Sequence, residues 1–330
     1  MLDSKRQLAV GVTPMETRRE VVLHVAHKAE ELGYDAFALA EGWGHDAGVL
    51  LAEIAGQTEH IRIGTGVLNV WGRSPATIAM LATSLAEVSK GRFFLGLGSG
   101  SPPLAEGFHD VPFREPVATL EATVRQVRRL LNGDRIETSR TEGSRPLALA
   151  VRSTSNIPIY LAALGPKSTR MCGELGDAWS PFLLPAAGLA DGIGWIEEGA
   201  RRTDRTRPLV CPSLPIAVAA RSGAAQEIAS WWVVFYLVSM GPLYRETLRR
   251  LGYGAAVDEV LAANPTPRTF VVPAQAQALL DELIVWGEPD RAGATLDSWY
   301  DAGAQMPILI LPPGRDVEML DFMLEALQPG

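Results

Sequence analysis

Cysteine is scarce in this chain: Cys172 and Cys211 are the two in 330 residues. That is too few for a disulfide framework or a four-ligand zinc site, and packing is the simplest role for both. Lysine is nearly absent, with four among the 30 basic residues. Positive charge is in deficit overall, leaving a formal net charge of −8. This sign speaks against a general nucleic-acid binder, whose affinity rests on neutralising phosphates. No run of 18 or more apolar residues occurs, so no membrane-spanning helix is expected. The opening Met1-Leu2-Asp3-Ser4-Lys5-Arg6-Gln7 leads into nothing like a signal peptide, and the expected location is the cytoplasm. What is present is 47% hydrophobic and 21% charged, enough apolar material for a large core.

Short apolar runs alternate with amphipathic stretches along the chain. Strands are expected at 8–12, 36–40, 61–68, 93–97, 159–163, 178–184, 210–219 and 307–311. Helices are expected between them, the first from Thr17, whose spacing to Glu20 is that of a capping box. Another opens at Ser74-Pro75, a cap residue followed by proline at the first helical position. Helices are also expected over 274–286 and 290–302. Eight strands each followed by a helix give an α/β fold, a single (β/α)8 TIM barrel spanning 1–330. Segments of about 132–156 and 241–273 lack a core of their own and are expected as loop insertions.

In such a barrel the chemistry sits at the C-terminal ends of the strands. The second strand runs into Glu41-Gly42-Trp43-Gly44-His45-Asp46. His45 is the natural acid/base candidate there, with Glu41 or Asp46 setting its charge; the plainer reading is that His45 and Asp46 start the next helix. The third strand contains Gly64 and Gly66 and is followed by Asn69 and Trp71. Glycine within a strand marks a bulge or a close ligand approach, which suits a flat aromatic ligand, or a bulge that merely closes the barrel. The fourth ends in Gly96-Leu97-Gly98-Ser99-Gly100-Ser101-Pro102-Pro103. Its prolines exclude a dinucleotide loop leading straight into a helix, and Glu106 and His109 follow in the same loop. The fifth ends in Ala162-Ala163-Leu164-Gly165-Pro166-Lys167-Ser168, a small-residue turn able to cradle a phosphate or simply to start a helix. His24 and His27 lie three apart without other ligands nearby, so no metal is expected.

The stretch from Ile61 through Gly64-Thr65-Gly66-Val67-Leu68-Asn69 and Arg73-Ser74-Pro75 to Lys90-Gly91-Arg92 and Gly96-Leu97-Gly98 resembles the luciferase-like monooxygenase superfamily. It is most similar to the coenzyme F420-dependent branch that includes methylenetetrahydromethanopterin reductase. Pro158 to Lys167, Gly176-Asp177-Ala178-Trp179, Gly287-Glu288-Pro289-Asp290 and Leu311-Pro312-Pro313-Gly314 extend the likeness over nearly the whole chain. The resemblance implies a homodimeric barrel that binds a flavin or deazaflavin and acts on a small organic molecule. It implies F420 as cofactor, with FMN as the alternative, and a hydride-transferring oxidoreductase. A reduced-FMN monooxygenase and a flavin-binding protein without turnover remain the other readings. Cofactor contacts implied are Trp43, Gly66, Val67, Asn69, Ala163, Leu164, Gly165 and Lys167, with a cis Gly66–Val67 peptide behind the ring. Related sugar-phosphate dehydrogenases carry Glu where Ser101 stands, which points away from glucose 6-phosphate.

Overall fold

The computed structural model describes residues 6–138, 143–153, 155–266 and 269–330. The chain forms β1 (Ala9–Val12), α1 (Arg19–Glu31), β2 (Ala36–Leu39), α2 (Ala47–Gln57), β3 (Arg62–Thr65), β4 (Leu68–Asn69), α3 (Pro75–Val88) and β5 (Phe93–Gly98). Then come α4 (Pro102–Ala105), α5 (Pro116–Leu131), β6 (Ile159–Ala162), α6 (Pro166–Leu175), β7 (Ala178–Trp179), α7 (Leu189–Arg202), β8 (Leu209–Val210) and β9 (Ser213–Val218). The last third holds α8 (Ser222–Ser239), α9 (Pro242–Arg250), α10 (Gly254–Ala263), α11 (Ala278–Leu283), β10 (Val285–Gly287), α12 (Pro289–Asp301), β11 (Ile308–Leu311) and α13 (Val317–Ala326).

The pairing order is β10-β9-β11-β1-β2-β3-β5-β6-β7-β8, with β4 beside β5. β8 and β9 are one strand broken at Cys211-Pro212, where proline has no N–H for the ladder. Both edges stay bonded across the break. The Cys211 N–H reaches the Trp179 carbonyl and the Ile308 N–H reaches the Pro212 carbonyl, each at 2.8 Å. The sheet therefore closes, with β3–β4 and β8–β9 each filling one of eight barrel positions. This is the expected TIM barrel. Its strands read as apolar runs because the barrel interior covers one face and the helices the other; β1, β2 and β11 are buried at every residue.

Three elements differ from expectation. The helix expected over 274–286 is a short 3₁₀ turn, then α11, then β10. Val285 and Gly287 find the free edge of β9 at Ile216 and Val218, and that tertiary pairing overrides the helical spacing. α1 starts at Arg19 without a Thr17 cap. Glu16 instead accepts the Arg18 backbone N–H at 3.0 Å and its guanidinium at 2.6 Å. The strand expected over 178–184 is reduced to β7 and a lone bridge from Phe182 to Ser213. Of the two excursions, 139–142, 154 and 267–268 lie outside the described residues; the second carries α9 and α10. Among the described residues no helix is long and apolar enough to cross a membrane.

Candidate active site

The break between β3 and β4 sits at the C-terminal mouth, and its Gly66–Val67 peptide is cis. The neighbouring strand is cut to receive it. A Cβ on Gly96 would lie 1.9 Å from the Thr65 carbonyl oxygen, and one on Gly98 2.7 Å from Val67 Cγ2. The glycines of β5 are thus a groove for the bulge, and the half-buried Val67 caps the barrel interior. The Thr65 hydroxyl ties the two strands again, donating to the Gly96 carbonyl and accepting the Gly96 N–H, both at 2.8 Å. α4 supplies one helical turn after β5, too short for a dinucleotide loop.

A cleft of about 340 Å³ opens beside this bulge, lined by Glu41, His45, Asp46, Arg73, Phe108 and His109. Its charged members do not pair as expected. Glu41 and Asp46 both bind Arg73, not His45. Each carboxylate also holds the start of α2: Glu41 accepts the Ala47 N–H at 2.9 Å, and Asp46 is the N-cap, accepting Gly48 and Val49. Burial works against the charge of Arg73, but the two carboxylates outweigh it and hold the guanidinium above its ordinary range. His45 is exposed at the rim, its Nε2 2.9 Å from the Thr17 carbonyl. A carbonyl only accepts, so Nε2 carries the proton and Nδ1 keeps a lone pair. Trp43 is 45% exposed at the same rim.

Asn69 is buried, and its Oδ1 accepts the backbone N–H groups of Trp71 and Gly72, both at 2.9 Å. Its amide nitrogen lies 3.3 Å from His109 Nε2. The His109 ring rests on Gly72, where a Cβ would come within 2.6 Å of it.

Across the mouth, α6 begins at Gly165 with no side-chain cap. Proline stands at its first position, and the Lys167 and Ser168 backbone N–H groups after it have no partner among the described residues. Gly165 has open space above it, Ser168 Oγ at 3.6 Å being the nearest atom to a Cβ there. Arg250 of α9 donates to the Leu164 carbonyl at 2.8 Å, bringing a second cation to the turn. Beyond β7, Phe182 packs on Tyr236 and Tyr244 at 4.8 and 6.0 Å between centroids. Burial pushes both phenols well above their usual range. Cys172 and Cys211 are buried, and burial pushes the Cys211 thiol up to about 12; both are packing residues. A polar hollow of about 270 Å³ at the barrel's opposite end is lined by Arg128, Asn132, Ser153 and Ser155. Arg128 is already held by Leu175 and Asp177 there, and no strand's C-terminal end reaches it.

Sequence reading gave Arg73 no role, although it stands between an acidic loop and a helix cap. The Arg250 contact bridges 86 positions and left no local signal. The sequence pattern described as luciferase-like monooxygenase matches residues 5–306. The chain belongs to the luciferase-like monooxygenase family. Within it, the chain is 28% identical to an M. tuberculosis protein named as a coenzyme F420-dependent oxidoreductase, Rv3520c, over 94% of this chain and 95% of that one. The 5,10-methylenetetrahydromethanopterin reductase of Methanolobus tindarius is 26% identical, over 90% and 92%. The solved coenzyme F420-dependent tetrahydromethanopterin reductase of Methanopyrus kandleri superposes with a TM-score of 0.79 over 98% of each chain, at 18% identity. That last likeness speaks to the fold: this is the luciferase-like barrel.

Proposed function

We propose that the protein is an F420-dependent oxidoreductase that moves a hydride between the deazaflavin and a small organic substrate. The observation that carries this is the end-to-end match to relatives named for that chemistry, nine-tenths or more of both chains in each case. The residues present fit the coenzyme. The capless start of α6, the open space over Gly165 and the nearby Lys167 and Arg250 suit an anionic tail, and the Val67 bulge offers an apolar surface for a flat ring.

When bound, the coenzyme supplies or takes up the hydride. Gly66 and Val67 back the ring, Asn69 stiffens the turn beside it, and Trp43 covers the rim. Ala163, Leu164, Gly165 and Lys167 hold the phosphate end. His45 exchanges the substrate proton at Nδ1, since its Nε2–H can keep the Thr17 carbonyl in either protonation state. Glu41 and Asp46 act through Arg73, fixing the loops that carry His45. Exposed Val49 and Met80 on α2 and α3, at 68% and 60%, support the homodimer; a monomer in sedimentation velocity would remove that part.

Side-by-side titrations with F420 and FMN test the cofactor. F420 is expected to bind at least about tenfold more tightly, a gap of ~1.4 kcal/mol. Equal or tighter FMN binding, with oxygen consumed in turnover, would move the protein to the monooxygenases.

A further inference from the structure

The two histidines of the cleft are held by opposite kinds of partner. His45 Nε2 faces a carbonyl, the Thr17 oxygen. His109 Nε2 faces an amide nitrogen, that of Asn69. The orientation of that amide is fixed independently, because Asn69 Oδ1 already accepts two backbone N–H groups. The nitrogen facing His109 is therefore a donor, Nε2 must accept, and the ring proton sits on Nδ1. A second proton would set N–H against N–H. His109 thus presents an N–H at Nδ1, whereas His45 presents its lone pair there. Gly72 beneath the ring and Phe108 beside it, 5.0 Å between centroids, complete the mount. Among the described residues His109 Nδ1 has no hydrogen-bond partner.

We propose that His109 is a hydrogen-bond donor for a carbonyl oxygen of the substrate, acting through Nδ1 as a neutral imidazole and not as an acid. This rests on the reading of the cleft as the reaction site. A preorganised donor of this kind is worth most where charge develops on the oxygen during reaction. As hydride adds to the carbonyl carbon, the C=O electron pair moves onto oxygen. There it meets the His109 N–H, and the proton that completes the product leaves the Nδ1 position of a protonated His45. The fixed charges of the cleft speak against an anionic substrate. Glu41, Asp46 and Arg73 sum to one negative charge, and the one guanidinium is already held by both carboxylates.

The test uses the full-length protein labelled with ¹⁵N-histidine, and cyclohex-2-en-1-one as the carbonyl probe. Imidazole ¹⁵N shifts at neutral pH are expected to show His109 as the Nδ1–H tautomer, assigned by its loss in His109→Gln. Asn69→Ala should return it to a mixed population. The probe is expected to move the His109 Nδ1 resonance and to leave those of His24, His27 and His60 in place. His109→Phe should weaken probe binding about fivefold, the loss of one neutral hydrogen bond. His109→Gln, which keeps a donor, should recover part of it, with F420 affinity within twofold in both His109 variants. An Nε2–H tautomer, probe affinity equal in wild type and His109→Phe, or no probe binding by wild type at 50 mM would each overturn the proposal. Failure of F420 to bind while the His109 response persists would instead overturn the cofactor reading.

Discussion

At the floor of the barrel Arg92 gives five hydrogen bonds, to the carbonyls of Ser89, Thr58, Ile61 and Ala55 and to the Thr58 hydroxyl. At the mouth Arg73 meets two carboxylates and borders an open cleft. The contrast extends to the acids. Asp177 at the floor takes Arg128, Arg205 and the Ile159 N–H, each at 2.8 Å. Glu30 accepts three consecutive N–H groups, from Glu59, His60 and Ile61. At the mouth, by contrast, the first turn of α6 and His109 Nδ1 keep donors unpaired among the described residues. Arg92, Asp177 and Glu30 spend their hydrogen bonds on the chain itself and gain stability; the mouth leaves some donors for a ligand, the usual exchange at functional sites.

Substitutions that affect turnover and stability separately would sharpen this contrast, and ones that mix them would break it. The largest effect expected is on turnover in His45→Ala, a loss of about 10²–10⁴-fold for a missing acid–base group. Its urea-unfolding midpoint should match wild type; unchanged turnover would leave His45 a mere rim residue. Arg92→Ala should do the opposite. Leaving several carbonyls unsatisfied is expected to cost about 3 kcal/mol of unfolding free energy, with F420 affinity unaltered.

Glu16, also at the mouth, is satisfied as fully as any floor residue. It accepts Arg18 and the Gly314 N–H at 3.0 Å, joining the loops after β1 and β11. Burial alone would raise its pKa, but these hydrogen bonds outweigh burial and hold the carboxyl below its usual 4.5. A folded-state value below the unfolded one gives stability that is complete above about pH 4.5 and lost as pH falls through the folded value. Glu16→Gln should therefore cost about 2 kcal/mol at pH 7, and the gap to wild type should close in acid. A gap that stayed constant from pH 7 to pH 3 would show packing, not charge, at work. The smallest effect is expected for Gly98→Ala. Its Cβ would push Val67 from its groove, weakening F420 about tenfold, ~1.4 kcal/mol, with less change in unfolding. Equal losses in both would mean that the bulge belongs to the core.

Much of this architecture was legible in the sequence because barrel strands buried on both faces read as short apolar runs. α3 opens where Ser74-Pro75 predicts, with Ser74 capping it and Pro75 at its first position. β10 was not legible. Val285-Trp286-Gly287 follows a helical segment, and only the free edge of β9 makes it a strand. At the site, strand-end glycines drew attention to the right loops, but pairing within them is decided across the chain. Arg73 takes Glu41 and Asp46 from over 27 to 32 positions away, and His109 reaches Asn69 across 40. No local spacing rule encodes such partners.

β9 continues past the point where its neighbour β7 stops, so one side of the barrel wall stands taller than the rest. On one edge of this raised section lies β10. Trp232 of α8 also anchors to it, through the Ile216 carbonyl at 3.0 Å. The second excursion, with α9 and α10, is thus built on a parapet that takes no part in closing the ring. Rebuilding this superstructure would leave the ring of strands closed, but Arg250 of α9 still ties it to the turn ahead of α6.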